Sequence, residues 1–208
     1  MKAKIIFDTR QPDYSALDGE ISCNWTNLYP GVKEEVNKSR IMIPSLLLGK
    51  GIMISAFVDA DHTRDEVTRR RSVKGIMIFL NCTLAGAVVY QAAGYSQWLE
   101  SSMYSSELVA ACIAATEMVM EMRLNLRSMG RVYLSGGGAS YMFRDNMSVI
   151  TNATLPLLCL KKKHNAIAYH CIWEAIAAGI IKFIHVPSSR NIADVLTKPF
   201  LAGPPSPW

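Results

Sequence analysis

The sequence lacks an apolar run long enough to cross a membrane, because Lys50 and Lys182 interrupt its longest candidates. The apolar part of its start, MKAKIIFDTR, is too short for a secretory signal peptide. The five cysteines are odd in number and none are paired as CxxC, which indicates neither a disulfide framework nor a zinc cluster. We therefore expect an intracellular protein of the cytoplasm or nucleus, without a membrane partner.

Apolar residues are plentiful, and they set the domain organisation that we expect. Half of the 208 residues are hydrophobic and 19% are charged, which suffices for one well-packed domain and an extension. Residues 1–50 lack sustained periodicity and are interpreted as a connector, residues 51–200 as the domain, and residues 201–208 as a frayed tail. The net charge of +5 is compatible with a polyanionic partner.

Hydrophobic periodicity predicts strands and helices in the order β-β-β-α-β-α-α-β-α. The predicted strands are 52–58, 75–80, 86–90, 132–134 and 180–186, and the predicted helices are about 102–129, 145–149, 164–178 and 191–198. Short links between the first three strands favour antiparallel pairing, whereas the later strands alternate with helices. This order predicts an α/β fold with a mixed sheet.

Four acidic residues lie at predicted element ends rather than on exposed helix faces: Asp59, Glu107, Asp145 and Asp194. Four anions in one place repel one another, so a cluster of them is stable only around a cation. Oxygen ligands of this kind suit a hard metal ion such as Mg²⁺ or Mn²⁺. Each acid taken alone is more commonly a cap or a surface charge, and spacing does not show that they meet. Asp61 is interpreted as a turn residue.

Five motifs follow one another along residues 51–200. They are FVDADH (57–62) with a TRRR turn (68–71), SSELVAA (105–111), RDNMSV (144–149), LKKKHNAIAYH (160–170) and NIADVLTKPF (191–200). The set, in this order, resembles the ribonuclease H domain at the C-terminal end of copia-type retrotransposon polyproteins. Residues 1–50 then correspond to a remnant of the connector that precedes this domain, after the polymerase region.

The resemblance implies a ribonuclease H-like fold, with a mixed five-stranded sheet flanked by helices. It also implies a metal-dependent endonuclease that cleaves the RNA strand of RNA–DNA hybrids and needs no small-molecule cofactor. By this resemblance Asp59, Glu107, Asp145 and Asp194 are both the catalytic residues and the ligands of Mg²⁺, with Mn²⁺ as the alternative. The 2′-hydroxyl would distinguish RNA from DNA. The sequence gives no indication of the oligomeric state.

Basic residues outside the four acids supply the predicted nucleic-acid surface. Residues 51–208 hold 15 Lys and Arg against 11 Asp and Glu, so setting the four acids aside leaves 15 against 7 and a charge of +8. The residues predicted to contact nucleic acid are Arg69, Arg70, Arg71, Asn146, Lys161, Lys162 and Lys163. An ordinary solvated surface charge is an equal alternative for each basic cluster.

Two positions depart from the family pattern. The segment VVYQAAGYSQWLESS (88–102) lacks the usual lysine, and Arg144 stands where a small residue or Cys is usual. A Tyr-x-Asp-Asp polymerase motif is absent. One alternative is therefore a catalytically decayed retrotransposon remnant that folds and at most binds nucleic acid. Another is an integrase-like nuclease that cuts DNA, which the terminal Ala-Asp motif makes the less favoured interpretation.

Overall fold

Five strands form one mixed sheet in the order β3-β2-β1-β4-β5. The structure is a computed structural model that describes residues 24–33, 52–62, 72–80, 88–95, 102–129, 138–155 and 163–198. The strands are β1 (Ile54–Asp61), β2 (Val73–Leu80), β3 (Val88–Tyr95), β4 (Ser140–Arg144) and β5 (Ile181–His185). The first three strands pair antiparallel, and β1–β4 and β4–β5 pair parallel. The predicted α/β fold with a mixed five-stranded sheet is confirmed.

The helices occupy the connections that the sequence pattern predicted. They are α1 (Met103–Ile113), α2 (Met120–Ser128), α3 (Met147–Thr154), α4 (Lys163–Ala177) and α5 (Asp194–Thr197). A π-helical turn, Ala114–Val119, joins α1 to α2, so the predicted long helix is continuous but locally widened. Gly179 follows α4 with a φ of 70°, the left-handed conformation that commonly ends a helix. No helix in the described ranges is both long enough and apolar enough to cross a membrane.

Both faces of β1 are buried, which explains its nearly continuous apolar sequence. Alternate residues Ile54, Ala56 and Val58 belong to the large core that includes residues of the helices. Phe57 lies on the opposite face, where its ring stacks on Phe143 with centroids 4.7 Å apart. The strand therefore has core on both sides up to the point where its acidic residues begin.

Two local predictions are wrong, and a third is not tested. The strand that directly precedes Asp145 is β4 (Ser140–Arg144), and the strand predicted at 132–134 lies outside the described residues. The cap of α3 is Asn146, whose Oδ1 accepts a hydrogen bond from the Val149 amide, and not Asp145. Asp61 is the last residue of β1 rather than a turn residue, because the ladder with β2 continues to the pair Asp61–Val73.

Part of the predicted connector packs on the domain. Trp25 lies in a 3-10 turn, Trp25–Asn27, and both Trp25 and Tyr29 pack against the helix-side core. The Tyr29 hydroxyl also lies 2.9 Å from Nδ1 of His170 on α4. Residues 24–33 therefore contribute aromatic surface to the same core as the sheet.

Arg123 joins α2 to the beginning of the β4–β5 pair. Its side chain is buried, and Nη1 donates to the Ser140 hydroxyl at 3.1 Å and to the Ile180 carbonyl at 3.4 Å. The same nitrogen donates to the carbonyl of Gly138. One guanidinium thus satisfies acceptors at the start of both parallel strands.

We predict that Arg123→Leu destabilises the fold by about 1–3 kcal/mol, because the buried acceptors lose their donor. Urea unfolding measures this change. The control is Glu121→Gln at an exposed position of the same helix, which should stay within about 0.5 kcal/mol of the wild type. Equal stabilities of the two variants would contradict the assigned role of Arg123.

Candidate active site

The carboxyl ends of β1 and β4 bring two of the predicted acids to one edge of the sheet. The strands are parallel neighbours, and Phe57 is level with Phe143 in their register. Asp59 and Asp145 each follow these phenylalanines by two residues, so the pairing sets them side by side. Asp59 is buried, and Asp145 is half-buried at the turn into α3.

Glu107 reaches the same place from α1. Ser102 caps this helix by accepting a hydrogen bond from the Ser105 amide, which fixes where its first turn begins. Glu107 lies in the second turn and is only 5% exposed. Its Oε1 accepts a hydrogen bond from Nδ2 of Asn146 at 3.0 Å, which ties α1 to the β4–α3 junction.

Asp194 lies on α5. Hydrogen bonds from Asn191 and Thr197 hold this helix against β1. Asn191 Nδ2 donates to the Val58 carbonyl at 3.2 Å. The Thr197 hydroxyl donates to Oδ2 of Asp59, a direct link between the terminal helix and the first acid. Asp194 itself pairs with Lys198 one turn later. The sequence analysis missed Asn191 and Thr197, although both lie within the NIADVLTKPF motif that it quoted.

The four acids influence one another electrostatically. Burial raises the pKa of Asp59, and the negative charges of Asp145 and Asp194 raise it further, whereas the Thr197 hydrogen bond lowers it. Burial likewise raises the pKa of Glu107, opposed by Arg144 and by the Asn146 hydrogen bond. Asp145 and Asp59 add repulsion at Glu107. The structure therefore sets Asp59 beside Asp145, links Glu107 to Asn146 and links the helix of Asp194 to Asp59. The catalytic roles of the four acids stay predictions.

Arg144 introduces a positive charge into this cluster. It is the last residue of β4, is fully buried, and donates from Nη2 to Oε2 of Glu107 at 2.7 Å. Burial lowers the pKa of Arg144, while the negative charges of Glu107, Asp59 and Asp145 raise it. Its Nε and Nη1 have no hydrogen-bond partner in the described part of the chain.

The chemistry of the donor set fits Mg²⁺, but its arrangement does not. Carboxylate oxygens are the ligands that a hard cation prefers. However, both oxygens of Glu107 already accept hydrogen bonds, one from Asn146 and one from Arg144. Across residues 24–33, 52–62, 72–80, 88–95, 102–129, 138–155 and 163–198, no group of three His, Cys, Asp or Glu could hold a metal ion.

The residues predicted to contact nucleic acid are only partly described. Asn146 caps α3 and binds Glu107, so its side chain has two structural contacts. Lys163 is the first residue of α4. The clusters Arg69, Arg70, Arg71 and Lys161, Lys162 lie outside the described residues.

Gly75 provides the space in which α5 sits, a role that the sequence analysis missed. It pairs with Asp59 across β1 and β2. A Cβ at this position would lie 2.7 Å from the Ala193 carbonyl oxygen and 2.9 Å from Cβ of Leu196. A glycine inside a strand pattern often marks such a close approach, which is the signal that could have revealed it.

We predict that Gly75→Ala displaces α5 and destabilises the fold by about 1–3 kcal/mol, because the new methyl group overpacks the contact. Urea unfolding measures the loss. Val195→Ala, on the exposed side of α5, is the control and should change stability by less than about 0.5 kcal/mol. A Gly75→Ala protein as stable as this control would contradict the close contact.

Comparison with known proteins agrees with the motifs. No family model matches the chain. Over 157 residues, 73% of the chain, it is 24% identical to the retrovirus-related Pol polyproteins from transposons RE1 and RE2 of Arabidopsis thaliana. The chain spans about 10% of the length of these relatives.

Among solved structures, ribonuclease H1 of Halobacterium salinarum gives a TM-score of 0.47 at 14% identity, covering 69% of this chain and 93% of that one. The sequence similarity to the two Arabidopsis polyproteins extends over most of the chain and accompanies the ordered motifs. The sequence similarity thereby confirms the predicted resemblance to a retrotransposon polyprotein.

Proposed function

We propose that the chain is a ribonuclease H-type nuclease domain of a copia-type retrotransposon polyprotein, and that its substrate is the RNA strand of an RNA–DNA hybrid. The observation that supports this proposal is the placement of Asp59 beside Asp145 at the carboxyl ends of β1 and β4, with Glu107 linked to Asn146 and α5 linked to Asp59. The four acids come from four separate elements, and the negative charges of Asp145 and Asp194 raise the pKa of Asp59, while those of Asp145 and Asp59 raise the pKa of Glu107.

A carboxylate cluster of this kind needs positive charge before a phosphodiester can approach. Anionic side chains repel a nucleic-acid backbone and one another. In the described part of the site, Arg144 pairs with Glu107 and Lys198 pairs with Asp194, so two acids have a cationic partner. An active nuclease would need Mg²⁺ or Mn²⁺ to supply this positive charge. We derive no catalytic step from it, because the arrangement around Arg144 does not fit a metal ion.

Arg144 favours a second candidate function. In this candidate the domain folds and binds a hybrid but does not cleave it, which corresponds to a catalytically decayed copy. The supporting observation is that a buried guanidinium occupies one oxygen of Glu107. The two candidates share the substrate and differ only in the chemical step, so one assay separates them.

The first candidate function, an active nuclease, predicts that the chain cleaves the RNA strand of a labelled hybrid and that this cleavage requires Mg²⁺ or Mn²⁺. Asp145→Asn keeps the shape of the side chain but removes its charge, and we expect a loss on the order of 100-fold or more. The control Glu117→Gln alters an exposed acid of the π-helical turn and should leave the rate unchanged. The rate is measured on gels with hybrid, duplex DNA and duplex RNA.

Three outcomes of this assay have distinct meanings. Hybrid binding without cleavage by the wild type supports the second candidate. Cleavage of duplex DNA in preference to the hybrid would support the integrase-like alternative. A wild type that neither binds nor cleaves a hybrid would overturn the proposal as a whole.

We also predict that hybrid affinity falls by at least about tenfold between about 50 and 200 mM salt, because bound phosphates release counterions. Fluorescence anisotropy measures the slope. Replacing Lys161, Lys162 and Lys163 by Gln should reduce that slope by about one for each phosphate that the variant no longer neutralises. Replacing Arg69, Arg70 and Arg71 tests the second cluster in the same way. An affinity independent of salt would exclude both clusters as phosphate contacts.

A further inference from the structure

The guanidinium of Arg144 lies among the carboxylates that form the candidate active site. We propose that Arg144 is the resident cation of this cluster and closes it to divalent metal ions. On this basis, removing the Arg144 side chain opens a metal site that the wild-type chain does not offer. The inference rests on the second candidate of the proposed function, the domain that binds a hybrid without cleaving it, and it concerns the same four acids.

The direction of the Arg144 side chain follows from the alternation of β4. Met142 packs in the helix-side core, and Phe143 packs in the core on the opposite face. Arg144 follows Met142 by two residues and therefore points to the side of the sheet that α1 covers. Its ion pair with Glu107 of α1, at 2.7 Å, is the contact expected from that direction.

A fully buried guanidinium must be compensated by negative charge. Only one of its nitrogens, Nη2, has a hydrogen bond to a carboxylate in the described residues, and Nε and Nη1 have no partner there. Hydrogen bonding alone therefore does not account for burying this charge. Its ion pair with Glu107 is the contact that compensates the charge, and the negative charges of Glu107, Asp59 and Asp145 raise the pKa of Arg144 against the effect of burial. Arg144 thus uses the same negative charge that would attract a metal ion.

A divalent ion and Arg144 are mutually exclusive at this position. Binding the ion through Glu107 would place a divalent cation and a guanidinium, three positive charges in all, against one carboxylate and would displace the hydrogen bond from Nη2. Arg144 is tethered through the β4 backbone, which pairs with β1 on one side and β5 on the other. The guanidinium cannot leave the cluster without a rearrangement of buried side chains.

The test measures Mn²⁺ binding directly, by electron paramagnetic resonance of free Mn²⁺ and by the shift in thermal midpoint that the ion produces. We expect Arg144→Ser to bind Mn²⁺ at least tenfold more tightly than the wild type and to gain stability as Mn²⁺ is added. Arg144→Lys retains the positive charge and is the matched control, with binding as weak as in the wild type. Glu107→Gln on the Arg144→Ser background should abolish the gain.

The wild-type chain alone can overturn the inference. Wild-type binding of Mn²⁺ as tight as that of Arg144→Ser, and abolished in Glu107→Gln, would show that Arg144 does not close the site. If Arg144→Ser does not fold, Arg144→Met, which keeps most of the side-chain volume, replaces it in the same comparison. Failure of both variants to gain Mn²⁺ binding counts against the inference.

Failure of the inference and failure of the proposed function give different results. An Arg144→Ser protein that binds Mn²⁺ tightly but cleaves no hybrid would support the resident cation and contradict the nuclease. A wild type that cleaves a hybrid with Mn²⁺ bound at the cluster would support the nuclease and contradict the resident cation.

Discussion

The pairing of β1 with β4 is the constraint on which the rest of the site depends. These parallel neighbours align Phe57 with Phe143, and the rings of these two residues stack on each other in that register. A slip of one residue would turn every side chain of β4 to the opposite face and would separate Asp145 from Asp59. A parallel pair needs a crossover connection, and the connection that leads from β1 to β4 contains α1, the helix that carries Glu107.

The fourth acid depends on a different contact. The helix α5 has only four residues, too few to be stable by itself, so its position is set by what it packs against. The absence of a side chain at Gly75 and the hydrogen bond from Asn191 to Val58 hold it over β1 and β2. Asp194 therefore owes its place in the cluster to a glycine on a strand that contributes no acid.

The sequence predicted the order of elements and the four acids, but it could not predict how their charges are balanced. Periodicity identifies strands and helices, and motif order identifies Asp59, Glu107, Asp145 and Asp194. The strand that ends in Arg144 escapes prediction, because SYMFR is short and follows a glycine run. The predicted surface charge of +8 includes Arg144, whereas the Arg144 side chain is fully buried. Burial of a charge depends on partners distant in sequence, such as Glu107, and no local pattern reports them.

The balance between the acids and Arg144 connects stability with function. A carboxylate cluster that needs a metal ion for catalysis is self-repelling without it, and a tethered arginine relieves that repulsion permanently. The ion pair with Arg144 stabilises the buried Glu107 carboxylate. It also occupies Oε2 of Glu107, an oxygen that a metal ion would need as a ligand. Functional sites commonly cost stability, and a substitution that stabilises one tends to reduce its activity. If Arg144 has the role proposed above, the residue before Asp145 is the one that decides between a reactive cluster and a stable one.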